Sequence, residues 1–271
     1  VDLFPVYSIA KTFSAAAAVA MRIPLRQSLG ELVDVPHDFR SLRLLDVLRH
    51  RAGLPDYGRW PEYRQAIRES EPWEFVELMD RARAAGMSAV GEFSYSNIGY
   101  AIVRPILEQL SGASYFDALA SRVFQPLGMM DVAPFASPSD WSRCVSSSRD
   151  VSWYDPGWVL TGSFAATASG IAEAYRALLA GALGDPAVLL QQLPVDVPDA
   201  VLVQPGYALG LMTGGDPIRY AGHGGAGPGY TAFVLSSVDG RRAHAEFVTD
   251  EVDQDSLIRR CLAVLDSDSG N

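Results

Sequence analysis

The sequence predicts an α+β fold, in which an antiparallel sheet is flanked by helices and joined to a mostly helical part. Before residue 181, most segments place apolar residues at helical spacing. After about residue 205, short segments with strand character alternate with turn residues. The chain then closes on an amphipathic helical pattern at 253–266. Its 271 residues, 48% hydrophobic and 20% charged, suffice for one large domain or two closely packed ones, and do not fit a disordered chain.

Residues 8–21 (SIAKTFSAAAAVAM) read as a helix of small residues, and alanine on all sides predicts burial with close neighbours. Residues 41–50 (SLRLLDVLRH) carry leucines at helical spacing after a serine cap. Residues 72–85 predict a helix with Pro72 early and Gly86 as its stop. Helices over 97–111 and 114–124 are divided by Ser111-Gly112, and a helix over 169–180 ends at Gly181. Residues 132–165, rich in Ser, Pro, Trp and Gly, read as surface loops. YALGLMTG, IRYAGHGG, YTAFVLSS and AHAEFVTD then read as strands, with Val238-Asp239-Gly240 as a hairpin turn. Acids in the first turn of 253–266 favour the helix dipole. The expected division is a sheet domain of residues 1–22 and 205–271, and a mostly helical domain of residues 23–204.

A formal net charge of −10 leaves no basic surplus to neutralise phosphates, which excludes nucleic acid as a partner. Cys144 and Cys261 match no zinc or redox spacing and are expected as separate buried thiols. His37, His50, His223 and His244 form no metal-binding pair, so neither a metal nor a cofactor is expected. No apolar run approaches the roughly 18 residues of a membrane span. The start shows no signal-peptide pattern, and the expectation is a cytoplasmic protein.

Of the 22 Lys and Arg residues, only Lys11 is lysine. Arginine can carry surface charge but cannot give up its proton at working pH, whereas a buried lysine can. Ser8-Ile9-Ala10-Lys11 places a hydroxyl and an amine on one helical face at a helix start. There the amine can activate the serine, and backbone N–H groups can meet a developing oxyanion. By chance the single lysine would have a serine three residues earlier roughly one time in ten. Tyr95-Ser96-Asn97 precedes a helix; a tyrosine whose pKa is depressed by a nearby cation can exchange protons, and the asparagine amide can hold the lysine or a substrate carbonyl. By itself it reads first as a helix cap with a buried tyrosine. His223-Gly224-Gly225 lies between strand-like segments, where glycine allows close backbone approach. Alone, the motif reads first as a glycine-rich turn with a surface histidine.

In this order, SIAK (8–11), YSN (95–97) and HGG (223–225), the motifs resemble the serine β-lactamase and DD-peptidase superfamily, in its class C β-lactamase and esterase-like branch. LLDVLRHRAGLPDY (44–57), IGYAIVRPILEQLSGASYFDALASRVFQPLGMMDV (98–132), TGSFAATASGIAEAYRALLAG (161–181) and GHGGAGPGYTA (222–232) are also similar to family segments. The resemblance spans about residues 4–265 and implies a β-lactamase/transpeptidase-like fold. It implies that Ser8 is the acylated nucleophile and that Lys11 and Tyr95 share its deprotonation. As a coupled pair, the two leave the identity of the base open. It further implies that Asn97 orients substrate and Lys11, that His223 and Gly225 bind substrate at the sheet edge, and that the Ser8 and Ala226 N–H groups form the oxyanion hole.

The chain departs from the family at Arg51-Ala52, where a hydroxyl-bearing pair is commoner, and at Gly170, where aspartate is usual. The resemblance also implies strands before the serine helix that are missing here. The sheet is therefore expected mainly from residues 206–249, with AHAEFVTD as an open edge. A second subunit of a homo-oligomer, the first seven residues, or a separately encoded segment is expected to cover it; the bland alternative is that the sequence is truncated and the strands precede it in the whole protein.

The function expected is a serine-dependent acyl-transfer enzyme acting on a small-molecule ester, amide or lactam, with water or an amine as acceptor. Esterase, amidase, D-amino-acid peptidase and biosynthetic transacylase all fit. The reading from a different class is a catalytically silent binding or sensor module of the same fold. The joint presence of Ser8, Lys11, Tyr95 and Asn97 argues against it.

Overall fold

A computed structural model of the chain describes residues 1–198 and 200–267. A short strand, β1 (Phe4–Pro5), leads through a tight 3-10 turn at Tyr7–Ile9 into α1 (Ala10–Ala20). Every residue of α1 from Ala10 to Ala18 is buried, as its alanine-rich composition predicts. The main sheet and one of its turns approach this helix and the segment before it through glycine. A Cβ at Gly210 would lie 2.6 Å from the Lys11 carbonyl oxygen, and one at Gly225 would lie 2.3 Å from that of Val6.

The helical part follows. A capping box of Ser28 and Glu31 opens the unanticipated short helix α2 (Leu29–Leu32). α3 (Leu44–Leu48) is shorter than the 41–50 predicted, because the backbone stays extended through Arg43, and so Ser41 does not cap it. α4 (Pro61–Glu69) escapes sequence reading: it is short and mostly polar, none of its residues is buried, and its apolar face is only the half-buried Tyr63, Ala66 and Ile67. α5 (Phe75–Ala85) stops at Gly86, as expected, but starts after Pro72. α6 (Asn97–Ser111) matches its predicted span and ends on left-handed Gly112. Ser114 caps α7 (Tyr115–Leu119), which continues as a wider turn over Ala120–Phe124.

Within the predicted loop of 132–165, the ends are strands. β2 (Val132–Pro134) and β3 (Phe164–Ala166) pair with β1 in a small antiparallel sheet of order β1-β3-β2. Segments this short carry no alternation to detect. Thr167 then caps α8 (Ala168–Leu179) by accepting from the Gly170 N–H, 3.0 Å away.

The main sheet runs in sequence order: β4 (Leu193–Pro194), β5 (Pro205–Tyr207), β6 (Met212–Gly214), β7 (Tyr220–Gly227), β8 (Tyr230–Ser237) and β9 (Ala243–Val248), all antiparallel. It starts earlier than predicted, at β4. The closing helix α9 (Gln254–Ser267) packs on β8, as does α8. β8 is buried along its length because it faces two cores. Phe233 and Leu235 pack with Leu257, Ile258 and Cys261 of α9, while Ala232 and Val234 join the large core shared with α1 and α8. Cys144 and Cys261 are free thiols, the first half-buried and the second buried. β9 ends the sheet, as AHAEFVTD predicts. The first seven residues do not pair along it: β1 is taken up by β3, and the Phe4 ring lies against β9, 5.4 Å from that of Phe247. Among the described residues, no helix is long and apolar enough to cross a membrane.

Candidate active site

Ser8 lies in the 3-10 turn that opens α1, directly after Tyr7, whose φ of 45° is in the left-handed region. Buried Tyr7 is held there by its hydroxyl, which donates to the Pro228 carbonyl at 3.0 Å, and by packing of its ring on Gly227. One turn on, the Lys11 Nζ is 2.9 Å from Ser8 Oγ and 2.7 Å from Asn97 Oδ1. Lys11 is 1% exposed. Burial brings its ammonium down from an ordinary 10.5 to about 7, with the Asp56 charge opposing.

The α6 N-terminus supplies the next pair. Ser96 is its N-cap: Oγ accepts from the Gly99 N–H at 3.1 Å and donates to the Pro55 carbonyl at 2.6 Å. The cap reading of YSN therefore holds, and the residues on either side of the cap, Tyr95 and Asn97, both reach the Ser8–Lys11 pair. The Tyr95 hydroxyl donates to Ser8 Oγ at 3.1 Å, and its ring centre lies 5.1 Å from Lys11 Nζ. The expected depression of its pKa does not occur. Burial raises it, only partly offset by the bond to Ser8, so Tyr95 is a protonated donor near neutral pH.

Asp56, His50 and Tyr207 complete the arrangement, and sequence reading assigned none of them a role. Asp56 Oδ1 accepts from Asn97 Nδ2 at 2.9 Å and from the Asn97 N–H at 3.2 Å. This fixes the amide so that its oxygen faces Lys11. His50 Nδ1 accepts the Ser96 N–H at 3.1 Å, so its Nε2–H donates to the Tyr207 hydroxyl, 3.1 Å away. Tyr207 in turn donates to His223 Nε2 at 2.9 Å, leaving His223 Nδ1–H to donate to the Gly224 carbonyl at 2.6 Å. The only signal for Asp56 and His50 was their place in LLDVLRHRAGLPDY.

This chain changes the picture of His223. It is 2% exposed with both ring nitrogens engaged, and burial, reinforced by the Lys11 charge, brings it down to about 3. It is a neutral strut between β7 and β5 with no ring nitrogen left for a ligand. Gly225 has a packing reason, since any side chain there would strike the Val6 carbonyl. Ala226, by contrast, is exposed and lines the same cleft as Ser8, together with Asn97. That cleft, about 230 Å³, is walled by Tyr7, Tyr57, Tyr63, Ile67, Tyr154 and Trp158. A larger cavity of about 570 Å³ beside Trp73 and Tyr115 does not include Ser8.

A family model described as Beta-lactamase matches residues 2–256. The D-aminopeptidase of Brucella anthropi is 25% identical over 236 residues, covering 82% of this chain and 45% of that protein. A D-stereospecific amidohydrolase from Streptomyces sp. superposes with a TM-score of 0.81 at 22% identity, over 96% of this chain and 86% of the other. The octameric penicillin-binding protein homologue from Pyrococcus abyssi does so with a TM-score of 0.77 at 18% identity, over 97% and 66%. The two structures share this chain's fold, and the chain spans less than half the length of the curated relatives it matches.

Proposed function

The chain belongs to the Beta-lactamase family, and on that footing we propose that it is a serine-dependent acyl-transfer enzyme working through an acyl-Ser8 intermediate. The observation that carries this reading is the buried Lys11 amine 2.9 Å from Ser8 Oγ, with its pKa near 7. At neutral pH much of Lys11 is an uncharged amine, which can take the Oγ proton as Oγ bonds to the substrate carbonyl carbon. The carbonyl oxygen becomes an oxyanion, received by the Ser8 and Ala226 N–H groups. When the tetrahedral adduct collapses, the bond to the leaving oxygen or nitrogen breaks, and Lys11 returns the proton to it. Tyr95 donates a hydrogen bond at the reacting oxygen; its raised pKa supports Lys11 as the base. In the second half, water or an amine gives its proton to Lys11, attacks the acyl carbon, and Oγ leaves reprotonated.

The names of the relatives, a D-aminopeptidase and a D-stereospecific amidohydrolase, favour an amide donor with water as acceptor. A catalytically silent module would have no need of a desolvated amine against the serine. A fluorophosphonate probe followed by intact mass tests the reading. Labelling that disappears in Ser8→Ala supports it, and no labelling of the native chain rejects it. A panel of amines offered to the acyl-enzyme then separates transfer from hydrolysis.

The outer edge of β9 forms part of the same proposal. Edge strands recruit other chains unless guarded, and the similar penicillin-binding protein homologue from Pyrococcus abyssi is octameric. A second copy pairing along β9 gives a homo-oligomer in sedimentation; a monomer whose β9 amides exchange freely rejects it.

A further inference from the structure

We propose that the cleft beside Ser8 selects an uncharged acyl group with an aromatic or branched apolar side chain, and disfavours acyl groups bearing a carboxylate or a free ammonium. This rests on the acyl-Ser8 reading and adds the substrate class. No Asp, Glu, Lys, Arg or His is among the described residues lining the cleft. Its tyrosines are neutral walls. Burial pushes Tyr63 up to about 12 and holds Tyr7, Tyr57 and Tyr154 well above the usual phenol range. The Tyr7 and Tyr63 hydroxyls donate to the carbonyls of Pro228 and Trp158, at 3.0 and 3.1 Å, so neither hydroxyl proton is free for a ligand.

The nearest charges are already engaged. Lys11 lies behind Ser8, bonded to Ser8 and Asn97. Asp56 Oδ1 accepts from Gly58 and from both nitrogens of Asn97, and its Oδ2 lies 3.8 Å from the Arg59 guanidinium. Neutral His223 has both nitrogens bonded inside the protein. At the outer rim, Glu251 takes the Gly229 N–H at 3.4 Å and stands 3.7 Å from Arg149. An ion entering the cleft would lose water and gain no counter-charge, whereas an apolar group gains from leaving water.

The cleft also has the right size. An engineered apolar cavity of about 150 Å³ holds benzene, so about 230 Å³ accommodates a phenyl ring with its linking carbons. α4 contributes Tyr63 and Ile67 to the wall and is thereby a specificity element. The relatives' names suggest amino acid amides, whose ammonium sits one carbon from the scissile carbonyl. The cleft of this chain disfavours that charge.

The test compares the p-nitrophenyl esters of phenylacetate, para-carboxyphenylacetate and D-phenylalanine, reading kcat/KM and the mass of acyl-Ser8. The neutral ester is expected to lead both charged ones by at least about tenfold, after subtraction of spontaneous hydrolysis. In Ile67→Glu, checked for folding by its thermal melt, the D-phenylalanine ester gains on the neutral ester. Equal or faster acylation of the native chain by either charged ester overturns the proposal alone. Failure of Ser8 to react with these esters and with fluorophosphonate overturns it together with the acyl-enzyme reading.

Discussion

Asp56 holds Asn97 by two hydrogen bonds to a single oxygen, Oδ1, at 2.9 and 3.2 Å, and so turns the Asn97 carbonyl toward Lys11. An amide free to rotate could equally present its NH₂ to the lysine, which would oppose a proton on that nitrogen. Asp56 removes the ambiguity without touching the nucleophile. Replacing it by alanine is expected to lower kcat by about 10²-fold, the scale of a small misplacement of a reacting group. Asp56→Asn keeps an acceptor at that position and should retain more of the rate. Steady-state kinetics with matched circular dichroism decides; an Asp56→Ala enzyme at full rate removes the role.

Lys11 should set the acidic limb of activity. With its pKa near 7, the neutral amine is gained as pH rises, so acylation rate rises through about 7 and levels off above it. Lys11→Ala is expected to lose about 10²–10⁴-fold in rate, the range of a positioned general base. A pre-steady-state burst followed across pH supplies both tests. Full turnover by Lys11→Ala would remove the mechanism.

The same lysine carries a stability signature. Its folded value of about 7 lies below the ordinary 10.5, so between them the unfolded chain binds a proton that the folded chain does not. Its contribution to stability therefore rises with pH across that window and is flat below about 7. Urea unfolding at pH 7 and pH 10 should show Lys11→Met losing part of its stability advantage over the native protein at the higher pH.

His223 acts on the acid side. Its value near 3, against an ordinary 6.5, means that stability is lost as pH falls through the window between them. Protonation of Nε2 would leave the Tyr207 proton without its acceptor. Each pH unit of that window corresponds to about 1.4 kcal/mol. The drop from pH 7 to pH 4 in urea unfolding is therefore expected to be smaller for His223→Gln than for the native chain, by roughly one to a few kcal/mol.

Gly225→Ala tests why the strand is glycine-rich. The new Cβ would sit 2.3 Å from the Val6 carbonyl, a backbone atom, so β7 must move away from the turn bearing Ser8. A loss of about 1–3 kcal/mol in stability, the usual scale of overpacking, and slower fluorophosphonate labelling are expected together. Unchanged labelling would mean that the strand tolerates the shift.

Short-range chemistry carried much of this protein into view. Alanines on every side of α1 announced a buried helix, and Gly86 and Gly112 marked helix ends that the structure keeps. The single lysine among 22 cations, three residues after a serine, named the pair that the fold places 2.9 Å apart. These features were legible because spacing along one helix is also spacing in space. Tertiary structure alone decided what depends on distant segments meeting. It showed that Tyr95 is raised and not lowered, because the burial that sets its sign is contributed by the rest of the fold. It showed that His223 turns to Tyr207, and that Asp56 and His50, far along the chain from the groups they hold, orient the site. Composition and periodicity name the groups able to exchange protons. Only packing sets their dielectric surroundings and partners, and hence which of them holds the proton.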